Sequence, residues 1–172
     1  MSELSIRVLG GDDWPTYQQV RLAALQDAPE AFASSYDEEK GYDEAFWRLR
    51  VERSARLVAC ADDEPVGIVS VGQASEPDVA ELFGLWVRAD YRGRGVAWQL
   101  TQAAARHARS AGQRALKLWV ATDNGRAVAF FSSAGFRPAD ERRPMTNDAR
   151  TEELAMVLPV GDDPGWVPTT QL

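Results

Sequence analysis

Leu4, Ile6 and Val8 alternate with Ser5 and Arg7, a period of two that predicts a short strand ended by Gly10 and Gly11. The period then lengthens. Trp14, Tyr17, Val20, Arg21 and Leu25 recur at helical spacing, with Asp12 or Asp13 available as the cap and Pro29 as the break. Asp43 to Arg50 predicts a second helix carrying Phe46, Trp47 and Arg50 on one side. Two apolar runs, Arg56–Ala61 and Pro65–Val71, predict a hairpin turning at Asp62, Asp63 and Glu64. Next come a strand over 79–87, a helix over 95–111, a strand over 115–121 and a helix over 125–134. A final hairpin joins 135–140 to 152–158. No segment repeats. This order predicts one α+β domain over residues 1–160, built about a mixed sheet, with an irregular Gly-, Pro- and Asp-rich tail over 161–172.

Composition changes that picture little. A chain of 172 residues with 45% hydrophobic letters has ample material for a core. No apolar run approaches the roughly 18–20 residues that cross a bilayer. The N-terminus lacks the basic and apolar blocks of a signal peptide, so a cytoplasmic location, away from membranes, is the default expectation. The one cysteine, Cys60, offers neither a disulfide framework nor a thiolate metal site, and no metal is expected. It is read as a buried small hydrophobe rather than a nucleophile.

Charge is more informative in its distribution than in its sum. The net charge of −7 argues against nucleic acid as a partner. Residues 1–87 carry 7 basic and 17 acidic side chains, residues 88–126 carry 8 and 2, and residues 127–172 carry 4 and 7. The basic middle suits an anionic ligand. The acidic first half suits a cationic one, although charge blocks also arise as plain solvated faces.

Within that basic middle, the run from Glu81 to Leu100 is a buried strand, a loop holding two glycines among arginines, and a helix opening near Val96. First-turn amides of a helix lack intrahelical partners and point, with the helix dipole, toward the preceding loop. Gly93 and Gly95 let that loop curl and let a ligand approach the backbone. Arg92 and Arg94 add cationic donors suited to phosphate. A Walker loop is excluded because no Gly-Lys pair occurs, and a dinucleotide fingerprint is excluded because Trp98 stands where the third glycine is needed. The pattern left is Arg92-x-x-Gly95-x-Ala97. About thirty residues downstream, after a strand, Asn124, Ala127, Phe130, Gly135 and Phe136 are spaced as a helix capped by Asp123 or Asn124 and ended by glycine.

Together these two patterns resemble the GNAT N-acetyltransferases, whose signatures are Arg/Gln-x-x-Gly-x-Gly/Ala and Asn-x-x-Ala-x-x-Phe/Leu-Tyr-x-x-x-Gly-Phe. The order of elements is similar from end to end. The resemblance implies the GNAT fold, with helices on both faces of the mixed sheet. It also implies acetyl-coenzyme A as co-substrate, an amine-bearing acceptor, and direct transfer in a ternary complex without a metal. Pairing into homodimers is common in the family. The resemblance places the pyrophosphate on Arg92, Gly93, Arg94, Gly95, Val96 and Ala97, and the pantetheine arm along Leu85, Trp86 and Val87. It assigns further cofactor contacts to Asn124, Ala127, Phe130 and Phe131.

Glu81 is the candidate general base, as the one charge within its strand and on the face of Phe83, Leu85 and Val87. The alternative is a strand-end carboxylate paired with an arginine. Gly84 in the same strand marks a bulge that, in the family, turns a backbone N–H toward the thioester carbonyl. One position departs from the pattern: Phe131 stands where many members carry the tyrosine that protonates the leaving thiolate. A thiol of reference pKa about 8.5 leaves tolerably unaided; otherwise Ser132, in reserve, Ser133 or Tyr91 substitutes, or activity is altered. A non-catalytic acyl-coenzyme A sensor is the rival reading. Tyr36 and Trp47, near Asp37, Glu38 and Glu39, are either an exposed mobile loop or part of an acceptor wall that holds an ammonium. His107, late in the long helix, is read as structural.

Overall fold

The computed structural model describes residues 4–32, 34–145 and 150–161. Seven strands form a mixed sheet: β1 (Leu4–Val8), β2 (Ala55–Ala61), β3 (Glu64–Gln73), β4 (Val79–Val87), β5 (Ala115–Ala121), β6 (Arg137–Pro144) and β7 (Glu152–Pro159). Their order is β1-β2-β3-β4-β5-β7-β6. Pairs β1–β2, β2–β3, β5–β7 and β6–β7 are antiparallel, and β4–β5 is parallel. The helices are α1 (Trp14–Asp27), α2 (Tyr36–Glu39), α3 (Glu44–Arg53), α4 (Val96–Ser110) and α5 (Gly125–Ser133). Contacts divide the chain into two compact units, residues 1–72 with 84–104, and residues 73–83 with 105–172. The expected tail lies, beyond Gly161, outside the described residues.

In the first unit the predicted elements form with local corrections. Asp13 does not cap α1 through the helix amides. Its carboxylate accepts from the Gly10 N–H at 2.8 Å, and a single 3₁₀ turn, Gly11–Asp13, leads the chain into α1. Asp43 does cap α3, accepting from the Phe46 N–H at 3.0 Å. Asp62 and Asp63, both with positive φ, make the tight turn between β2 and β3. Tyr17, Val20, Ala24, Trp47, Val51, Val58, Ile68 and Trp86 form the core of this unit. Cys60 belongs to it too, and burial pushes its thiol up, away from the reactive thiolate.

The acidic run 37–39 is helical rather than a loop, and its members differ in surroundings. It lies in α2, and Glu39 is fully buried, held bidentately by Arg21 at 3.0 Å and 3.0 Å and by Arg50 at 2.7 Å. Burial alone would raise this carboxyl, but the two guanidinium groups bring it from 4.5 down to about 2. A carboxyl depressed on folding contributes stability above its unfolded pKa, and the contribution is lost as pH falls through the folded value. Stability of about 3 kcal/mol is therefore expected to disappear between roughly pH 4.5 and 2. Urea titrations over that range should show the slope in the natural chain and a flatter one in Glu39→Gln.

The second unit centres on Ala74, Val79, Ala115, Ala139, Ala155 and Val157. Its sheet buries a charge. Lys117 on β5 is 3% exposed and bonds Glu76 at 2.6 Å and Glu141 at 2.9 Å. Desolvation would push its ammonium down, but the two carboxylates outweigh that and raise it. Among the described residues no helix is long and apolar enough to cross a membrane.

Candidate active site

The glycine loop forms in the first unit, as two left-handed glycines directly ahead of a helix. After β4 a 3₁₀ turn, Ala89–Tyr91, leads to Arg92, and α4 begins at Val96. Gly93 and Gly95 have φ of +76° and +82°, a region costly for residues with a Cβ. A Cβ built on either would meet no atom within 4 Å, so the space above both is open. The first bond of the helix ladder runs from the Gln99 N–H to the Gly95 carbonyl at 3.0 Å. The amides of the first helical turn, Val96 and Ala97, come ahead of that ladder. No acidic side chain stands in the first turn of α4 to occupy them. Val96 is buried and anchors that turn. Gly67 of β3 lets it settle closely, since a Cβ there would come within 3.0 Å of Leu100 and 3.2 Å of Val96.

The loop arginines differ in their surroundings. Arg94 is exposed and lies 5.0 Å from the Tyr91 ring, which Arg88 also covers at 5.1 Å. Arg88 bonds Asp90 and Glu64, each at 2.7 Å. Arg92 turns back instead. Its Nε donates to the Val87 carbonyl at 3.0 Å and its Nη2 to Asp27 Oδ2, which also accepts from the Trp86 indole at 2.9 Å. Sequence reasoning missed Asp27. Its one local signal is an acid in the last turn of a helix, where the dipole disfavours it.

In β4, Gly84 adopts φ +67°, so left-handed backbone does interrupt the strand where a bulge was expected. Up to that point Ala80 and Leu82 are buried and Phe83 is exposed, with Glu81 half-buried. Beyond it the neighbours Trp86 and Val87 are both buried. Leu85 is half-buried.

Glu81 lies in the second unit, opposite Lys117 in the parallel ladder, which ends at that pair. Lys117 is held by Glu76 and Glu141, and Arg143 by Glu153 at 3.4 Å. Arg143 also covers Trp119 at 4.0 Å from its ring centre. With both cations engaged elsewhere, Glu81 forms no ion pair among the described residues. Burial raises its carboxyl above the ordinary 4.5, only partly opposed by Arg143 and Lys117. A carboxyl so placed binds a proton more readily than an ordinary glutamate.

The second predicted segment is α5, in the same unit as Glu81. Asn124 caps it, its Oδ1 accepting from the Ala127 N–H at 3.1 Å. Gly135 ends it, with the Phe136 N–H donating to the Phe131 carbonyl at 3.0 Å. Phe131 is buried, edge-on to Phe130 at 5.1 Å and to Phe136 at 5.6 Å. Ser132 is half-buried, and its carbonyl accepts from the Gly135 N–H. The Ser133 hydroxyl donates to the Phe130 carbonyl at 2.6 Å.

The family model described as acetyltransferase (GNAT) matches residues 21–136, well over half of the chain, and this chain belongs to that family. An uncharacterized N-acetyltransferase of Methanocaldococcus jannaschii is 26% identical over 138 residues, covering 70% of this chain. The chain spans 60% of that relative's length. Among solved structures, an acetyltransferase of the GNAT family from Streptococcus pneumoniae matches with a TM-score of 0.74 at 19% identity, over 92% of this chain and 100% of that one. The PaiA N-acetyltransferase of Thermoplasma acidophilum, solved in complex with coenzyme A, matches with a TM-score of 0.66 at 19% identity, over 89% and 98%. At these identities the structural likeness shows the GNAT fold.

Proposed function

We propose that this chain transfers an acetyl group from acetyl-coenzyme A to a primary amine of a small molecule or peptide. Transfer is direct, within a ternary complex, and residues 1–160 act as one catalytic domain. The observation that carries the reading is the loop at Gly93 and Gly95, with open space above two left-handed glycines at the start of an acid-free helix. Such a loop fits a diphosphate, which accepts hydrogen bonds from the amides of Gly93 to Ala97 and draws on the α4 dipole. The remaining contacts are part of the same proposal, drawn from the motif resemblance: Leu85 to Val87 along the pantetheine arm, and Asn124, Ala127, Phe130 and Phe131 as further cofactor contacts.

Bound acetyl-coenzyme A supplies an acyl group on a thioester. The acceptor nitrogen forms the new bond to the acetyl carbon as the carbon–sulfur bond breaks, and the amine must shed a proton. Glu81 takes it, because its carboxyl is raised by burial and is not engaged by a cation. The thiolate leaves without a tyrosine. Phe131 is packed between two other phenylalanine rings, and Ser132 is the hydroxyl in reserve.

Incubation with acetyl-coenzyme A and a panel of polyamines, aminoglycosides and peptides, followed by free thiol, tests this. Thiol release dependent on at least one amine is the expected result. Cofactor binding with no turnover on any amine would overturn it in favour of a sensor.

A further inference from the structure

We infer that Asp27, at the C-terminal end of α1, is a positioning residue for the cofactor loop: one carboxylate ties the strand end at Trp86 to the loop entry at Arg92. The inference rests on the acetyl-coenzyme A reading above. The bonds are few and specific. Asp27 Oδ2 accepts from the Trp86 indole at 2.9 Å and from Arg92 Nη2, and Arg92 Nε closes onto the Val87 carbonyl at 3.0 Å. Each group sits next to backbone that the proposed function uses. Trp86 and Val87 lie on the stretch assigned to the pantetheine arm, and Arg92 immediately precedes the amides assigned to the diphosphate.

Local helix stability gives no reason for an acid at this place. The last turn of α1 carries no basic residue, and a carboxylate there opposes the helix dipole. Nor is Asp27 a core residue, since its side chain remains 31% exposed. Its two donors hold the carboxyl below the ordinary range, the Trp86 indole contributing most and Arg92 next. What the contact does achieve is geometric. Gly93 and Gly95 are both conformationally free, so the amides between them need an external reference. A guanidinium clamped at both ends provides one: Nε on the strand carbonyl, Nη2 on α1. The first letter of the loop pattern thus acts through its grip on Asp27 rather than by reaching toward phosphate.

The two roles for Arg92 predict opposite signs. If Asp27 merely quenched the Arg92 charge, neutralising Asp27 would free that guanidinium for the phosphates and tighten binding. If Asp27 positions the loop, binding weakens. Calorimetric titration of coenzyme A into the full chain decides between them. Asp27→Asn should weaken binding about tenfold, with the urea midpoint nearly unchanged and with any loss in steady-state assays confined to the acetyl-coenzyme A KM rather than kcat. Asp27→Glu should recover part of the loss. Arg92→Gln should weaken binding similarly, and the double variant should be no worse than the poorer single one, because both break the same clamp. Trp86→Phe removes one donor while keeping an aromatic ring, and it should give a smaller loss. It serves as the test should Asp27→Asn not fold. Unchanged or tighter binding in Asp27→Asn, or additive losses in the double variant, would overturn the inference. No coenzyme A binding by the natural chain would instead overturn the acetyl-coenzyme A reading itself, and the inference with it.

Discussion

Gly95→Glu should lower coenzyme A affinity at least a hundredfold while the chain stays folded. Gly95 has φ +82°, so any side chain there carries backbone strain of roughly 1–2 kcal/mol. That strain shifts the melting temperature by a few degrees in a chain of this size. The larger effect is on the ligand. The Cβ of a residue at 95 meets nothing within 4 Å, so the glutamate fits the empty loop and fills the space left for a diphosphate. Its charge would then repel the phosphates from the same amides and from the helix dipole. Gly112, at the far end of α4, is the matched control. Its φ is +81° and its surroundings are equally open, so Gly112→Glu carries the same strain without touching the loop. Calorimetry on both variants, with melting curves alongside, separates the contributions. Equal losses of affinity would assign the effect to strain, and undiminished binding in Gly95→Glu would remove the loop from the site.

The loop could be read from the letters because everything that makes it is local. Two glycines, a buried strand before them and a helical period after them lie within twenty consecutive residues, and short-range sterics fix the outcome. The Asp62–Asp63 turn was legible for the same reason, and the cap of α5 was narrowed to Asp123 or Asn124, of which Asn124 forms it. What stayed hidden was the company charged residues keep. Asp37, Glu38 and Glu39 form a run that looks like a solvated face, yet Glu39 is buried because Arg21 and Arg50, 18 and 11 residues away, converge on it. Asp27 bonds side chains 59 and 65 residues distant. Lys117 interrupts an apolar strand and would be placed at the surface on charge alone, but Glu76 and Glu141 make its burial tolerable. Sequence periodicity assigns residues to elements. Whether a charged residue is exposed, paired or left free depends on partners that only the fold brings near. Glu81 shows how much turns on this, since its candidacy rests on Lys117 and Arg143 being held by other carboxylates.

Glu81→Gln is expected to lower turnover by about a hundredfold or more, the range that positioned proton transfer contributes. The loss should be greatest where Glu81 is ionised and the amine is still protonated, and it should shrink on acidification as Glu81 itself takes up a proton. In the natural chain the acid limb of kcat/KM should fall at a pH above the ordinary glutamate range, because burial raises this carboxyl. In the variant that limb should vanish. Stability provides a second readout of opposite sign. A carboxyl whose folded pKa lies above its unfolded value favours folding when protonated, and that advantage is lost as pH rises through the folded value. At neutral pH the ionised Glu81 therefore costs stability, which a neutral glutamine of the same shape does not. Glu81→Gln should unfold at a higher temperature than the natural chain at pH 7, and the gap should close on acidification as Glu81 becomes neutral too. Greater stability with less activity is the mark of a group retained for its chemistry. An unchanged pH profile would show that Glu81 is not the base. A lower melting temperature would show that its charge is satisfied in the fold, as the arginine-paired alternative requires.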